Sequence, residues 1–215
     1  MLIMFGFRSL PMRNYQRARS DEEKNQRLSS ILSAVESMFA ENVYEACNLN
    51  VIAANVGITK TALYRYFRCK ELIFLEIYKR QLSDVVPALQ VCLQKQDAAG
   101  LSALLSSRPL FCRLSAILTT VLERPLTVEE ARSFKLTVLQ LLEPCVVTLV
   151  SEHGYTPDEA VQWLMQLLVT LVGCWHVCHT SPMMNEALAI PELACFQLNF
   201  DGILQQHIAM MMQGR

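Results

Sequence analysis

Helices throughout are what this chain's residue usage dictates. Only 7 of its 215 residues are Gly, aromatics make up 8%, and Leu, Ala, Met and Gln are abundant. Those four enter a helix at little cost, whereas sheets draw on β-branched and aromatic side chains. The patterning agrees: apolar residues recur at three- and four-residue intervals, and no run alternates as a strand would. At 52% hydrophobic and 18% charged, the chain is too apolar for a disordered or linker protein. Its length suits one domain or two modest ones.

Each helix has its own signal. From Arg27 the apolar positions Leu28, Ile31, Leu32, Val35, Met38 and Phe39 carry helical periodicity through three turns. Asn48 then stands as an N-cap before Leu49, Ile52, Ala53 and Val56, and Gly57 follows as a C-terminal stop. Thr59 can cap a third helix through Leu63, Tyr64 and Phe67. A fourth starts near Lys70-Glu71 and continues through Leu72, Leu75, Ile77 and Leu82, with Pro87 expected to kink or end it. Beyond it, helical stretches are punctuated by Gly100 and by prolines at 109, 125 and 144. Thr156-Pro157-Asp158-Glu159 reads as a capping box with Pro at the first helical position, starting a helix expected to reach about His179. A last helix is expected from Pro191-Glu192, carrying Leu193, Phe196, Leu198, Ile203, Leu204 and Ile208.

Charge is divided unevenly along the chain. Residues 1–80 hold 12 Lys and Arg against 8 Asp and Glu, while residues 81–215 hold 7 against 12. A basic first third with an acidic remainder is expected when only one end meets an anionic partner. The stretch 49–67 supplies a means. Two short helices joined at Val56-Gly57-Ile58-Thr59 form a helix-turn-helix, with small Ala53 at the helix contact and Gly57 in the turn. Helical spacing places Thr61, Tyr64 and Arg65 outward, with Ala62, Leu63 and Phe67 free to face inward.

The run from Ile52 to Leu72, IAANVGITKTALYRYFRCKEL, resembles the N-terminal signature of the TetR family of bacterial transcriptional regulators, and Ile31–Ala34 and Met38–Glu41 fit its first helix. The resemblance covers about residues 27–75. It implies an N-terminal three-helix helix-turn-helix DNA-binding domain followed by a helical effector-binding and dimerisation domain. The expected division is a flexible arm over 1–24, the DNA-binding domain over 25–72 and the effector and dimer domain over 73–215. It further implies a homodimer reading a palindromic double-stranded operator in the cytoplasm, most often as a repressor released by a small molecule.

Position by position, Thr59, Lys60, Thr61 and Ala62 correspond to the family's turn and the start of its recognition helix. Tyr64 and Tyr66 correspond to aromatic positions that approach phosphates, and Lys70 to the basic residue opening the fourth helix. A cation beside a helix N-terminus makes physical sense as a phosphate site. Arg65 can reach a guanine edge or a phosphate, and Asn48 completes the DNA-binding set. Two positions depart from the family: Cys47-Asn48 replaces the common Thr-Ser or Thr-Thr, and Ala62 replaces Gly, Pro or Ser. Arg68 and the Arg13, Arg17, Arg19 group read as solvated charges.

The remaining features are weighed on their chemistry. Cys174 and Cys178 share a helix face, but His176 points elsewhere and no second Cys/His pair completes a tetrahedral site, so no metal is expected. His153, His176, His179 and His207 form no triad with a nucleophile and phosphate loops are missing, so neither catalysis nor a cofactor is expected. Eight scattered cysteines read as free, mostly buried thiols of a reducing compartment. Met1–Phe7 is too short for a signal peptide or span, and reads as an arm or an extension upstream of Met12. The apolar stretch 160–178, broken by Gln162, Gln166, Thr170 and His176, is expected to lie between two partners and not in a membrane. Its residues Leu164, Leu167, Leu168, Leu171 and Trp175, with Phe196, Phe200 and Leu204, are the expected dimer interface. Segments 101–122 and 134–150, rich in Leu with one Phe and one Cys each and few charges, are the expected walls of a pocket for a hydrophobic or aromatic effector. The competing reading is a helical protein–protein interaction module whose basic head is incidental.

Overall fold

The computed structural model describes residues 12–213, with side chains described from Glu22 onward. Ten α-helices lie along the described residues, with no strand among them, and the chain divides into two compact units after Arg68. The N-terminal unit contains α1 (Met12–Glu41), α2 (Leu49–Val56) and α3 (Lys60–Tyr64), with a short 3-10 turn at Tyr44–Ala46. Ile31, Val35, Phe39, Cys47, Ile52 and Leu63 form its interior, all at 2% exposure or less. Asn55 Nδ2 donates to the Ala34 carbonyl at 3.2 Å and pins α2 to α1.

The first helix reaches upstream to Met12, so residues 12–24 of the expected arm are helical. That stretch holds no Pro or Gly and several Arg, Gln and Glu, so propensity favours a helix even though no apolar row marks one. The Met1–Phe7 segment and the side chains of Arg13, Arg17 and Arg19 lie outside the described residues.

The C-terminal unit is built on α4 (Lys70–Gln94), which packs against α5 (Ala98–Ser106), α6 (Pro109–Ile117) and α7 (Val128–His153). A π-helical segment, Leu118–Leu122, continues α6. The capping box of α8 (Pro157–Cys178) has formed: Thr156 N donates to Glu159 Oε2 at 2.8 Å, and Glu159 N donates to Thr156 Oγ1 at 3.3 Å. A second capping box, Thr127 with Glu130, starts α7. Side-chain hydrogen bonds link helices that are distant in sequence. Gln90 Nε2 donates to Thr148 Oγ1 at 3.1 Å between α4 and α7, and His176 Nε2 to the Ala116 carbonyl at 3.1 Å between α8 and α6.

Three expectations about helix ends fail for physical reasons. Pro87 lies inside α4 and Pro144 inside α7, and neither ends its helix. Both prolines are exposed, as are Ser83 and Gln140 four residues earlier, so the carbonyls that lose a partner face water. The last helix does not begin at Pro191. A 3-10 segment, Pro191–Phe196, follows the short α9 (Pro182–Ala187), and α10 (Phe200–Gln213) starts beyond it. α3 stops at Tyr64, short of Phe67.

By length and composition α7 and α8 are each apolar enough to cross a membrane, with 22% and 28% of their most apolar windows buried. α8 buries Trp163, Leu164, Leu167, Leu171 and Cys174 within its own unit. Its opposite face leaves Met165 and Val169 exposed, Val169 at 70%, and Val177 is exposed near its C-terminal end. The segment from 181 to 198 buries none of its side chains, and Met183 and Phe196 stand 74% and 61% exposed.

Candidate nucleic-acid interface and the cavity of the helical unit

The N-terminal unit positions an outward-facing helix by hydrogen bonds that span three to five residues. Asn48 Oδ1 accepts from the backbone of Asn50 at 3.0 Å and of Val51 at 3.1 Å, satisfying two free donors of α2. At the other end Gly57 adopts φ 72°, and the backbone N–H groups of Gly57 and Ile58 return to the carbonyls of Ala54 and Ala53. This is the Schellman pattern, and the left-handed φ is the reason for glycine there. Thr59 Oγ1 then accepts from Ala62 N at 3.1 Å and starts α3. The two helices thus meet across a turn that few other residue types would form.

Side-chain placement follows the helical period. Leu63 is 1% exposed and Phe67 is 5% exposed, anchoring the inner face. Thr59, Lys60, Thr61, Tyr64 and Arg65 are exposed, Ala62 and Tyr66 are half-buried, and Asn48 is exposed at the N-terminus of α2. Lys60 Nζ lies 5.9 Å from the Tyr64 ring centroid, a cation held over an aromatic face. Lys70, half-buried, is the first residue of α4 in the second unit. Arg68 is exposed.

The C-terminal unit encloses a pocket of about 70 Å³ between α4, α7 and α8, lined in part by Tyr78, Leu82, Leu142, Leu167 and Leu171. An adjoining pocket of about 200 Å³ shares Tyr78, Val138, Leu142 and Leu168, and adds Phe134 and Lys135. Tyr78 stacks on Phe111 at 5.5 Å between centroids and lies tilted against Phe134 at 6.0 Å. Burial pushes its phenol up to about 12, while the neighbouring Ser115 hydroxyl acts in the opposite direction. Even so, Ser115 Oγ is buried and meets no partner at hydrogen-bonding geometry. The expected walls, 101–122 and 134–150, contribute Leu105, Phe111, Val138 and Leu142, but α4 contributes four residues and α8 five. Tyr78 and Leu82 went unmarked as pocket residues because their apolar row is indistinguishable in sequence from ordinary core.

The residues expected at a dimer contact separate into two groups. Leu164, Leu167, Leu171 and Leu204 are at most 6% exposed, buried in the chain's own core where a partner helix cannot reach them. Leu168, Trp175 and Phe200 are half-buried, and Phe196 is exposed. Trp175 stacks on His179 at 3.7 Å and meets Phe200 edge-on at 5.4 Å. Among the described residues no group of three His, Cys, Asp or Glu is placed to hold a metal ion.

A helix-turn-helix head with an exposed outer face, followed by a second compact helical unit, is the architecture of a helix-turn-helix transcription regulator. The particular family follows from comparison. Residues 31–77 match the family model described as bacterial regulatory proteins, tetR family, and residues 76–215 match the one described as tetracyclin repressor-like, C-terminal domain. The chain belongs to the TetR family of bacterial transcriptional regulators. A solved structure assigned to TetR-family transcriptional regulators, from Mesorhizobium loti, is similar at 16% identity over 88% of this chain and 95% of that one, with a TM-score of 0.49. Among curated proteins none matches the chain.

Proposed function

We propose that the chain is a ligand-responsive repressor of the bacterial cytoplasm that binds a palindromic operator as a homodimer and is released by a small hydrophobic effector. The observation that carries this reading is α3, whose inner face is fixed by buried Leu63 while Thr61, Tyr64 and Arg65 stand exposed on its outer face. In the major groove Thr61, Ala62 and Arg65 meet base edges, Arg65 as a bidentate donor to guanine. Asn48, Thr59, Lys60, Tyr64, Tyr66 and Lys70 meet phosphates and set the register.

Two heads reading successive major grooves need recognition helices about 34–36 Å apart, and a dimer supplies that spacing. The exposed apolar face of α8, with Met165 and Val169, supports a contact made there. Leu168, Trp175, Phe196 and Phe200 flank it and α10 joins it, so that four helices cover what one chain leaves open. An effector that binds better to the dimer with its heads splayed releases DNA, by no more than its differential affinity for the two states.

The test is an electrophoretic mobility shift of the protein on DNA flanking its own gene, repeated across salt concentrations. A retarded band whose affinity falls steeply with salt is the expected result. No shift at micromolar protein, on any fragment of that region, would leave the helical interaction module as the better reading.

A further inference from the structure

The two adjoining pockets between α4, α7 and α8 have a chemistry specific enough to select a ligand class. Among the residues lining the inner one, Tyr78 alone carries an oxygen, and no lining residue bears a formal charge. The outer pocket has one cation at its edge, Lys135, and that ammonium is already held at 2.6 Å by Glu123 Oε1. A charge brought into such surroundings loses its hydration without gaining a free counter-ion, which is strongly unfavourable. A neutral molecule avoids that cost.

The inner lining nevertheless offers one polar side-chain atom, the Tyr78 hydroxyl. Ser115, 3% exposed, lies beside Tyr78 but lines neither pocket. Tyr78 in turn borders both pockets and is flanked by the rings of Phe111 and Phe134. An apolar hollow of this size, with aromatic walls, suits a ring or short alkyl body. The outer pocket approaches the surface beside Leu139 of α7, which is 47% exposed.

We propose that this cavity takes an uncharged, largely apolar molecule carrying one hydroxyl or carbonyl group, which hydrogen-bonds the Tyr78 hydroxyl. The assignment rests on reading the C-terminal unit as the effector domain, and it specifies which chemistry that domain accepts. At neutral pH the Tyr78 phenol is protonated already at its ordinary value of 10.0, and burial raises it further to about 12, so it can donate to a ligand oxygen. The Lys135–Glu123 pair remains at the rim.

A matched set of naphthalenes tests this on the full-length protein: naphthalene, 2-naphthol, 2-naphthoate and 2-naphthylmethylammonium, with binding followed by calorimetry and by the rise in melting temperature. 2-Naphthol is expected to bind about tenfold more tightly than naphthalene, the gain of one net hydrogen bond, and at least tenfold more tightly than either ion. In Tyr78→Phe the advantage of the hydroxyl over naphthalene is expected to disappear while naphthalene itself still binds. Binding of either ion as tight as that of 2-naphthol, a hydroxyl preference that survives in Tyr78→Phe, or no binding of any of the four overturns the proposal. Operator binding without probe is measured in parallel. Its loss alongside intact 2-naphthol selectivity would sink the regulator reading and leave the ligand class standing.

Discussion

Val169→Glu is the substitution that most directly tests how the chain associates. Val169 sits in the middle of α8 and is 70% exposed, so a carboxylate there touches little of the chain's own core. In a twofold contact every substitution is made twice. Burying a whole valine is worth about 1.5–3 kcal/mol, and removing the exposed 70% of two such side chains from a contact forfeits roughly 2–4 kcal/mol. Each buried, unpaired carboxylate adds several kcal/mol more. The sum is at least about 6 kcal/mol, about four decades in dimer affinity. Sedimentation velocity at micromolar concentration should therefore find dimer in the wild type and monomer in the variant. Helical circular dichroism should be unchanged, because a surface exchange to a better helix former alters a fold by less than about 0.5 kcal/mol. Operator affinity should fall with the dimer, since one head no longer holds the other at high effective concentration. Leu171→Glu makes the contrast: Leu171 is 2% exposed, so that variant should unfold its unit. A Val169→Glu protein that remains dimeric, or a monomeric wild type, refutes the assignment of this face.

Other perturbations address the head and the ionisable interior. Lys70→Ala should weaken binding to all DNA sequences alike and reduce the salt slope by about one unit, whereas Arg65→Ala should cost about 1–3 kcal/mol at one base-pair position in a randomised operator selection. Leu63→Ala, at a side chain only 1% exposed, should cost the N-terminal unit about 2–5 kcal/mol, visible as an early melting phase. Stability against denaturant should be flat up to pH 9 as far as the thiols and Tyr78 are concerned, and should fall above it. Cys112 and Cys145 are raised from 9.0 to about 12 and Tyr78 from 10.0 to about 12, so the unfolded chain ionises first and is favoured as pH rises through that window. Tyr78→Phe should remove the part of the decline that begins at pH 10, which urea titrations between pH 8 and 11 would detect.

What the sequence made legible was what local hydrogen bonds decide. Asn48, Gly57 and Thr59 declare their roles because each cap or turn closes over three to five residues, and the outward set on α3 follows from the helical period alone. The Thr156–Glu159 box was readable for the same reason; its twin at Thr127–Glu130 has the same spacing and went unmarked. Distant packing decided the rest. Residues 12–27 form a helix without an apolar row, leaving periodicity nothing to detect. Pro87 and Pro144 look like breaks until it is known that they face water. α8 is apolar on opposite faces, so sequence alone could not tell which leucines turn inward, and Leu164, Leu167 and Leu171 proved to be core. The cavity residue Tyr78 lies in a row of core positions on α4, and only the arrangement of α7 and α8 around it leaves a hollow.

The brevity of α3 has a consequence for how the protein responds to heat. Five residues make little more than one turn, far below the length at which a helix persists in water by itself. The recognition surface consequently has no existence apart from the burial of Leu63 and Phe67 beneath it, and it vanishes whenever the small head opens. In the dimer proposed above, which docks both heads, affinity falls as the square of the fraction of heads that are closed. On that reading the head is a fuse in series with the DNA: warming that opens a modest share of heads weakens binding more steeply than the opening itself.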